Sequence, residues 1–160
     1  MTFIVILLVL VLALFVGAFL SRRRFGVLGL GLSAGAIISP IWGDNASFVV
    51  SALGLVAEGP LVNAIALSAI ILIPAVLFMF HGYTYKHLLG RVVGSLLFTL
   101  LAAAFLAGPI AAALTLTGPV GIVYQWIVMN RELIVSVGVA LAIADFLVSR
   151  TVHKSEKKKH

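Results

Sequence analysis

The chain reads as long, uncharged apolar blocks separated by short polar breaks. A hydrocarbon layer about 30 Å thick is crossed by roughly 17 to 25 mostly apolar helical residues. Five blocks approach or reach that length: residues 2–20, 26–42, 61–80, 92–116 and 133–148, the last being the shortest and interrupted by Asp145. The pattern predicts an all-α, polytopic membrane protein with five transmembrane helices. Residues 1–149 form a single transmembrane domain, and residues 150–160 form a basic cytoplasmic tail.

The breaks hold further apolar material. Residues 43–60 open on Gly-Asp-Asn and close on Glu-Gly-Pro, turn and capping signals at both ends. Between them, residues 46–57 have helical periodicity but reach only about 18 Å, which predicts a short interfacial or re-entrant helix. Residues 120–129 follow Gly118-Pro119 and carry Tyr124, Gln125 and Trp126. Amphipathic rings favour the headgroup level, so this segment is expected to lie on the membrane surface.

Composition narrows the class. Hydrophobic residues make up 62% of the chain and charged ones 10%, against about 25% charged in ordinary soluble domains. That balance excludes a soluble globular domain and a disordered chain alike. Without cysteine, disulfide scaffolds, thiolate metal sites and cysteine nucleophiles are unavailable.

Charge placement predicts orientation. With the N-terminus outside, the inner segments hold Arg22, Arg23, Arg24, Lys86, Arg91, Arg150, Lys154, Lys157, Lys158 and Lys159, leaving only Arg131 outside. Short cytoplasmic loops carry such an excess, so five crossings run N-out and C-in, in a multi-pass protein of the cell inner membrane. If the fifth block did not cross, the asymmetry would vanish. The first block lacks a basic start and is followed by three arginines, the reverse of a secretory signal, and is expected to remain as an anchor. The basic excess is explained by topology, so nucleic acid is not an expected partner. Arg22, Arg23, Arg24, Lys157, Lys158 and Lys159 are instead placed to meet anionic lipid headgroups.

Candidate chemistry is sparse. Asp145 is the one formal charge inside a block. Its reading is an ion pair with Arg150, Lys86 or Arg91, with a proton or cation site as the alternative. Asn63, Ser68, Ser95, Thr99 and Ser136 line a polar path if they face one another, or else bond to nearby backbone. Gly31, Gly35 and Ser39 recur every four residues in the second block, and Gly90 and Gly94 open the fourth. Small residues at this spacing let membrane helices pack closely. Pro74 and Pro109 interrupt the third and fourth blocks and predict kinks.

Two enzyme-like strings overlap in the second block. Gly29-Leu-Gly31-Leu-Ser-Ala34 fits a dinucleotide fingerprint and Gly31-Leu-Ser33-Ala-Gly35 a nucleophile elbow. Both mechanisms need a strand-to-turn-to-helix context that a lipid-length helix does not supply, so helix packing is the expected role and Ser33 is not taken as catalytic. His81, Tyr83, Tyr85 and His87 precede Arg91 as an inner interfacial belt, with no carboxylate beside them to suggest a metal site. No cofactor is expected.

A first apolar span ending in Ser21-Arg-Arg-Arg24-Phe25-Gly26, a glycine-rich second span, and Leu88-Leu-Gly90-Arg-Val-Val-Gly94 entering a later span resemble the colicin V production protein (CvpA-like) family of small bacterial membrane proteins. The resemblance covers residues 1–109. It implies an inner-membrane protein linked to export and envelope homeostasis, with no assigned catalytic residues. The expected function is non-enzymatic, through packing against partner membrane proteins or further copies of the chain. The alternative is a small ion or solute channel or transporter subunit with a path near Asp145.

Overall fold

A computed structural model describes residues 2–53, 59–81, 84–85, 87–113 and 119–157. Six helices account for almost all of them: α1 (Thr2–Ser21), α2 (Phe25–Ala52), α3 (Pro60–Phe80), α4 (Leu88–Ala113), α5 (Pro119–Met129) and α6 (Arg131–Lys157). The protein is all-helical, and three of its helices are long and apolar enough to cross a membrane: Phe25–Ala52, Pro60–Phe80 and Leu88–Ala111. α1 adds the apolar stretch Leu8–Ser21. Helices suit an apolar solvent because each closes its own backbone hydrogen bonds.

α2 departs from the expected boundaries. It does not stop at Gly43-Asp44-Asn45 but continues to Ala52, so residues 46–52 are its last turns rather than a separate interfacial or re-entrant helix, and residues 54–58 lie outside the described residues. Tertiary contact outweighs the turn signal here. Gly43 is buried against Leu67 of α3, close enough that an added Cβ would stand 2.8 Å from it. Ser47 Oγ donates to the Gly43 carbonyl (2.8 Å) and reaches Asn63 Oδ1 of α3 (3.0 Å). The 28 residues of α2 extend about 42 Å, well beyond one hydrocarbon layer.

α6 also exceeds its expected block, running from Arg131 through Lys157 and so taking most of the basic tail into helix. α4 ends at Ala113, and residues 114–116 of the expected fourth span lie outside the described residues.

α2 and α3 form an antiparallel hairpin. α4 lies at the centre, with half of its apolar window buried (50%) against 22% for α3, and it packs on α1, α2, α3 and α6. Phe25, Leu28, Leu32, Phe98, Leu101 and Leu106 are its largest fully enclosed neighbours and members. The exterior is itself apolar: Leu8, Leu12, Ile37, Ile41, Leu77 and Leu96 are all exposed. In water such a surface would drive aggregation; in hydrocarbon it is the ordinary outer face of a helical bundle.

The helix directions alternate. The end of α1, the start of α2, the end of α3, the start of α4 and the later half of α6 meet at one end of the bundle, joined by contacts among Phe19, Gly26, Met79, Arg91 and Asp145. Arg131 at the start of α6 lies beside Gly108 near the end of α4, at the other. The first is the basic end; the second is called the far end below.

Candidate functional site

The start of α2 leaves backbone N–H groups that its own helix cannot satisfy, and its N-cap residue, Arg24, supplies no side-chain bond. Other elements supply them. Phe25 N–H donates to Tyr85 Oη (3.1 Å) and Gly26 N–H to Asp145 Oδ2 (2.8 Å), while Val27 and Leu28 N–H donate to the Arg24 carbonyl. Asp145 is thus a helix cap delivered from α6, placed where the α2 dipole favours negative charge. Gly26 makes this possible: a Cβ there would stand 2.6 Å from both the Ala142 carbonyl oxygen and the Phe146 nitrogen.

Two groups reinforce the carboxylate. Arg24 Nη1 lies 3.8 Å from Asp145 Oδ1, and its guanidinium sits 5.5 Å from the centre of the Tyr85 ring. Tyr85 Oη donates to Asp145 Oδ2 at 3.4 Å. Burial, and then the neighbouring Asp145 charge, push the Tyr85 hydroxyl above its usual range, against the lowering effect of the Phe25 bond and of Arg24. Tyr85 therefore stays protonated and keeps donating. The Tyr85 backbone is held as well, its N–H donating to the carbonyl of Arg22 (2.9 Å), a residue with φ of 56°.

Two further arginines go to the opposite kind of helix terminus. Arg23 donates through Nε to the Met79 carbonyl (3.0 Å) and through Nη2 to the Phe80 carbonyl (2.7 Å), the last turn of α3. Arg91 Nη2 donates to the Phe19 carbonyl (2.9 Å) in the last turn of α1, with its guanidinium 4.4 Å from the Phe19 ring centre. Cations at C-termini and an anion at an N-terminus each match the helix dipole. The basic end is a clasp made of reciprocal caps.

Of the partners expected for Asp145, only Arg91 can be followed here. Arg91 bonds to α1 instead, and Arg24, expected at the lipid surface, is the partner among the described side chains. Lys86 lies outside the described residues, and Arg150 is placed only as a position on α6. Of the remaining residues expected to meet lipid, Arg22 is exposed, Arg23 caps α3, Lys157 ends α6, and Lys158 and Lys159 lie outside the described residues.

α2 carries two glycine faces, which explains the enzyme-like strings. Gly31, Gly35 and Gly43 face α3, where a Cβ would stand 2.9 Å from Ala75 Cα, 2.4 Å from the Ile71 carbonyl oxygen and 2.8 Å from Leu67 Cδ2 respectively. Gly26 and Gly29 face α6 at Ala142. Gly43 continues the four-residue spacing that Gly31, Gly35 and Ser39 begin. Ser39 serves its own helix, donating to the Ala36 carbonyl (3.2 Å), which Pro40 has deprived of its usual donor. Ser33 likewise donates to the Gly29 carbonyl (2.9 Å). Gly90 and Gly94 seat no helix; the Tyr85 ring lies over them, 2.9 and 2.6 Å from where their Cβ atoms would be.

The expected polar path does not assemble from the residues described. Ser95 Oγ donates to the Arg91 carbonyl (2.7 Å) and Thr99 Oγ1 to the Ser95 carbonyl (2.8 Å), both within α4, and Asn63 pairs with Ser47. Among the described residues no group of three or more His, Asp or Glu side chains stands together.

Two hollows remain. An apolar cleft of about 390 Å³ lies between α1, α4 and α5, with Leu14, Thr99, Leu106 and Tyr124 in its wall. At the far end a cavity of about 270 Å³ brings Ser39 and Pro40 of α2, Leu67 and Ile71 of α3, Phe105 and Pro109 of α4, and Arg131 of α6 together. In the sequence Arg131 stands out only as the lone outer basic residue; its proximity to two prolines on separate helices has no local signature.

No family model, curated protein or solved structure matches this chain.

Proposed function

We propose that the chain is a non-enzymatic, five-span protein of the bacterial inner membrane, N-out and C-in, that acts by packing its lipid-facing helices against partner membrane proteins or further copies of itself. The observation that carries this reading is the clasp. The chemistry-bearing groups described at the basic end, Asp145, Tyr85, Arg23, Arg24 and Arg91, are engaged in holding helix termini, while much of the exterior is uncharged apolar surface. The CvpA-like resemblance, with its link to export and envelope homeostasis, supplies the setting.

Alternating helix directions support five crossings, since they put the start of α1 at the far end and the end of α6 at the basic end. Concentrated arginine supports the basic end as cytoplasmic. The capping role of Asp145 favours this reading over a channel or transporter path at that residue.

Crosslinking in intact membranes, followed by purification of the full-length chain, tests the proposal. Recovery of a defined complex, with a partner membrane protein or as a homo-oligomer, is expected. A chain recovered only as an uncrosslinked monomer would refute it, and so would solute flux into vesicles that is lost in Asp145→Asn.

A further inference from the structure

We infer that the far-end cavity binds an anionic amphiphile, a phosphate or carboxylate head carrying an apolar chain, through Arg131. At about 270 Å³ it falls just below the roughly 300 to 1,000 Å³ of small-molecule pockets. It therefore admits a head group and the beginning of a chain rather than a whole lipid. Leu67, Ile71 and Phe105 give it apolar walls, and Arg131 is the only charged residue among the described ones in its lining.

Arg131 is unusually placed for a structural charge. It is the first residue of α6, the end at which a helix dipole disfavours a cation, whereas Arg23 and Arg91 serve C-termini. Arg131 is exposed and its charge reaches the Tyr124 hydroxyl, but among the described residues no carboxylate or carbonyl pairs with its guanidinium, the adjacent Glu132 included. Its side chain nevertheless lies back against α4, with Nη1 3.2 Å from where a Cβ on Gly108 would stand. The absent side chain at Gly108 leaves a seat for the guanidinium at the cavity. A planar fork of donors in that seat matches a phosphate or carboxylate.

This assignment rests on the spanning arrangement proposed above for its membrane setting, but the binding test is made in detergent and is indifferent to sidedness and to partner proteins. Full-length protein in a neutral detergent is titrated with dodecyl phosphate and, separately, with inorganic phosphate, reading the fluorescence of Trp42 and Trp126. Saturable binding of dodecyl phosphate is expected, with inorganic phosphate weaker by about tenfold or more. Arg131→Gln should weaken dodecyl phosphate binding about tenfold, while Arg131→Lys loses less. Gly108→Ala keeps the charge but intrudes on its seat, and should also weaken binding, which keeps the test decisive should Arg131→Gln fold poorly. Arg22→Gln, at the basic end, should leave affinity within about twofold. Unchanged affinity in Arg131→Gln, equal affinity for inorganic phosphate, or an equal loss in Arg22→Gln would each overturn the assignment.

Discussion

An aspartate near the end of an apolar helix is legible in the sequence as a charge that needs a partner, but the partner is not. The group it caps, the Gly26 N–H, is 119 positions away, and nothing in the local pattern of α6 points to it. The same distance hides Tyr85, whose hydroxyl serves α2 while its ring fills the notch over Gly90 and Gly94. Local reading assigns these glycines to helix packing because a missing side chain looks the same whether a helix or a ring fills the space. Asp145→Ala should lower stability by about 1 to 2 kcal/mol, the usual cost of losing a helix N-cap. Asp145→Asn, which retains an acceptor oxygen, should cost less. Thermal unfolding of the detergent-solubilised protein measures both, and equal loss in the two variants would show that charge, rather than capping, is what Asp145 supplies.

At the scale of elements, the apolar blocks predicted α2, α3 and α4 because span length is written directly in composition. The end of α2 was not legible. Gly43-Asp44-Asn45 reads as a turn in isolation, yet Gly43 packs on Leu67 of α3, and contact across the hairpin carries the helix onward. In hydrocarbon such contact is dispersion between backbones brought near each other, and it is sensitive to single carbons. Gly35→Ala places a methyl 2.4 Å from the Ile71 carbonyl oxygen, so α2 and α3 must move apart, at a cost of about 1 to 3 kcal/mol. Gly59→Ala meets nothing within 4 Å and should be nearly neutral. Unfolding midpoints of the two variants should separate clearly; coincident midpoints would mean that the seam contributes little.

For the whole molecule, solvent class is the most legible property, since 62% hydrophobic residues leave too much apolar surface for water. The arrangement of helices is not, because one small-residue ridge fits many neighbours. Only the structure shows that α2 divides its glycines between α3 and α6. The native chain lacks cysteine, so single substitutions can report sidedness. In intact cells an impermeant thiol reagent should label Asp44→Cys and Glu132→Cys but not Arg22→Cys or Ser155→Cys. Labelling of Ser155→Cys would overturn the C-in orientation and with it the five-span reading.

The clasp gathers five helix segments at one end through Arg23, Arg91 and Asp145, whereas the far end retains a hollow between α2, α3, α4 and α6. Rods fastened at one end swing most at the other. A tilt of about 5° over a helix roughly 30 Å long displaces its tip by about 3 Å, enough to widen or pinch that hollow while the fastened residues barely shift. The basic end is therefore expected to act as the pivot, with amide hydrogen exchange faster around Arg131 than around Gly26.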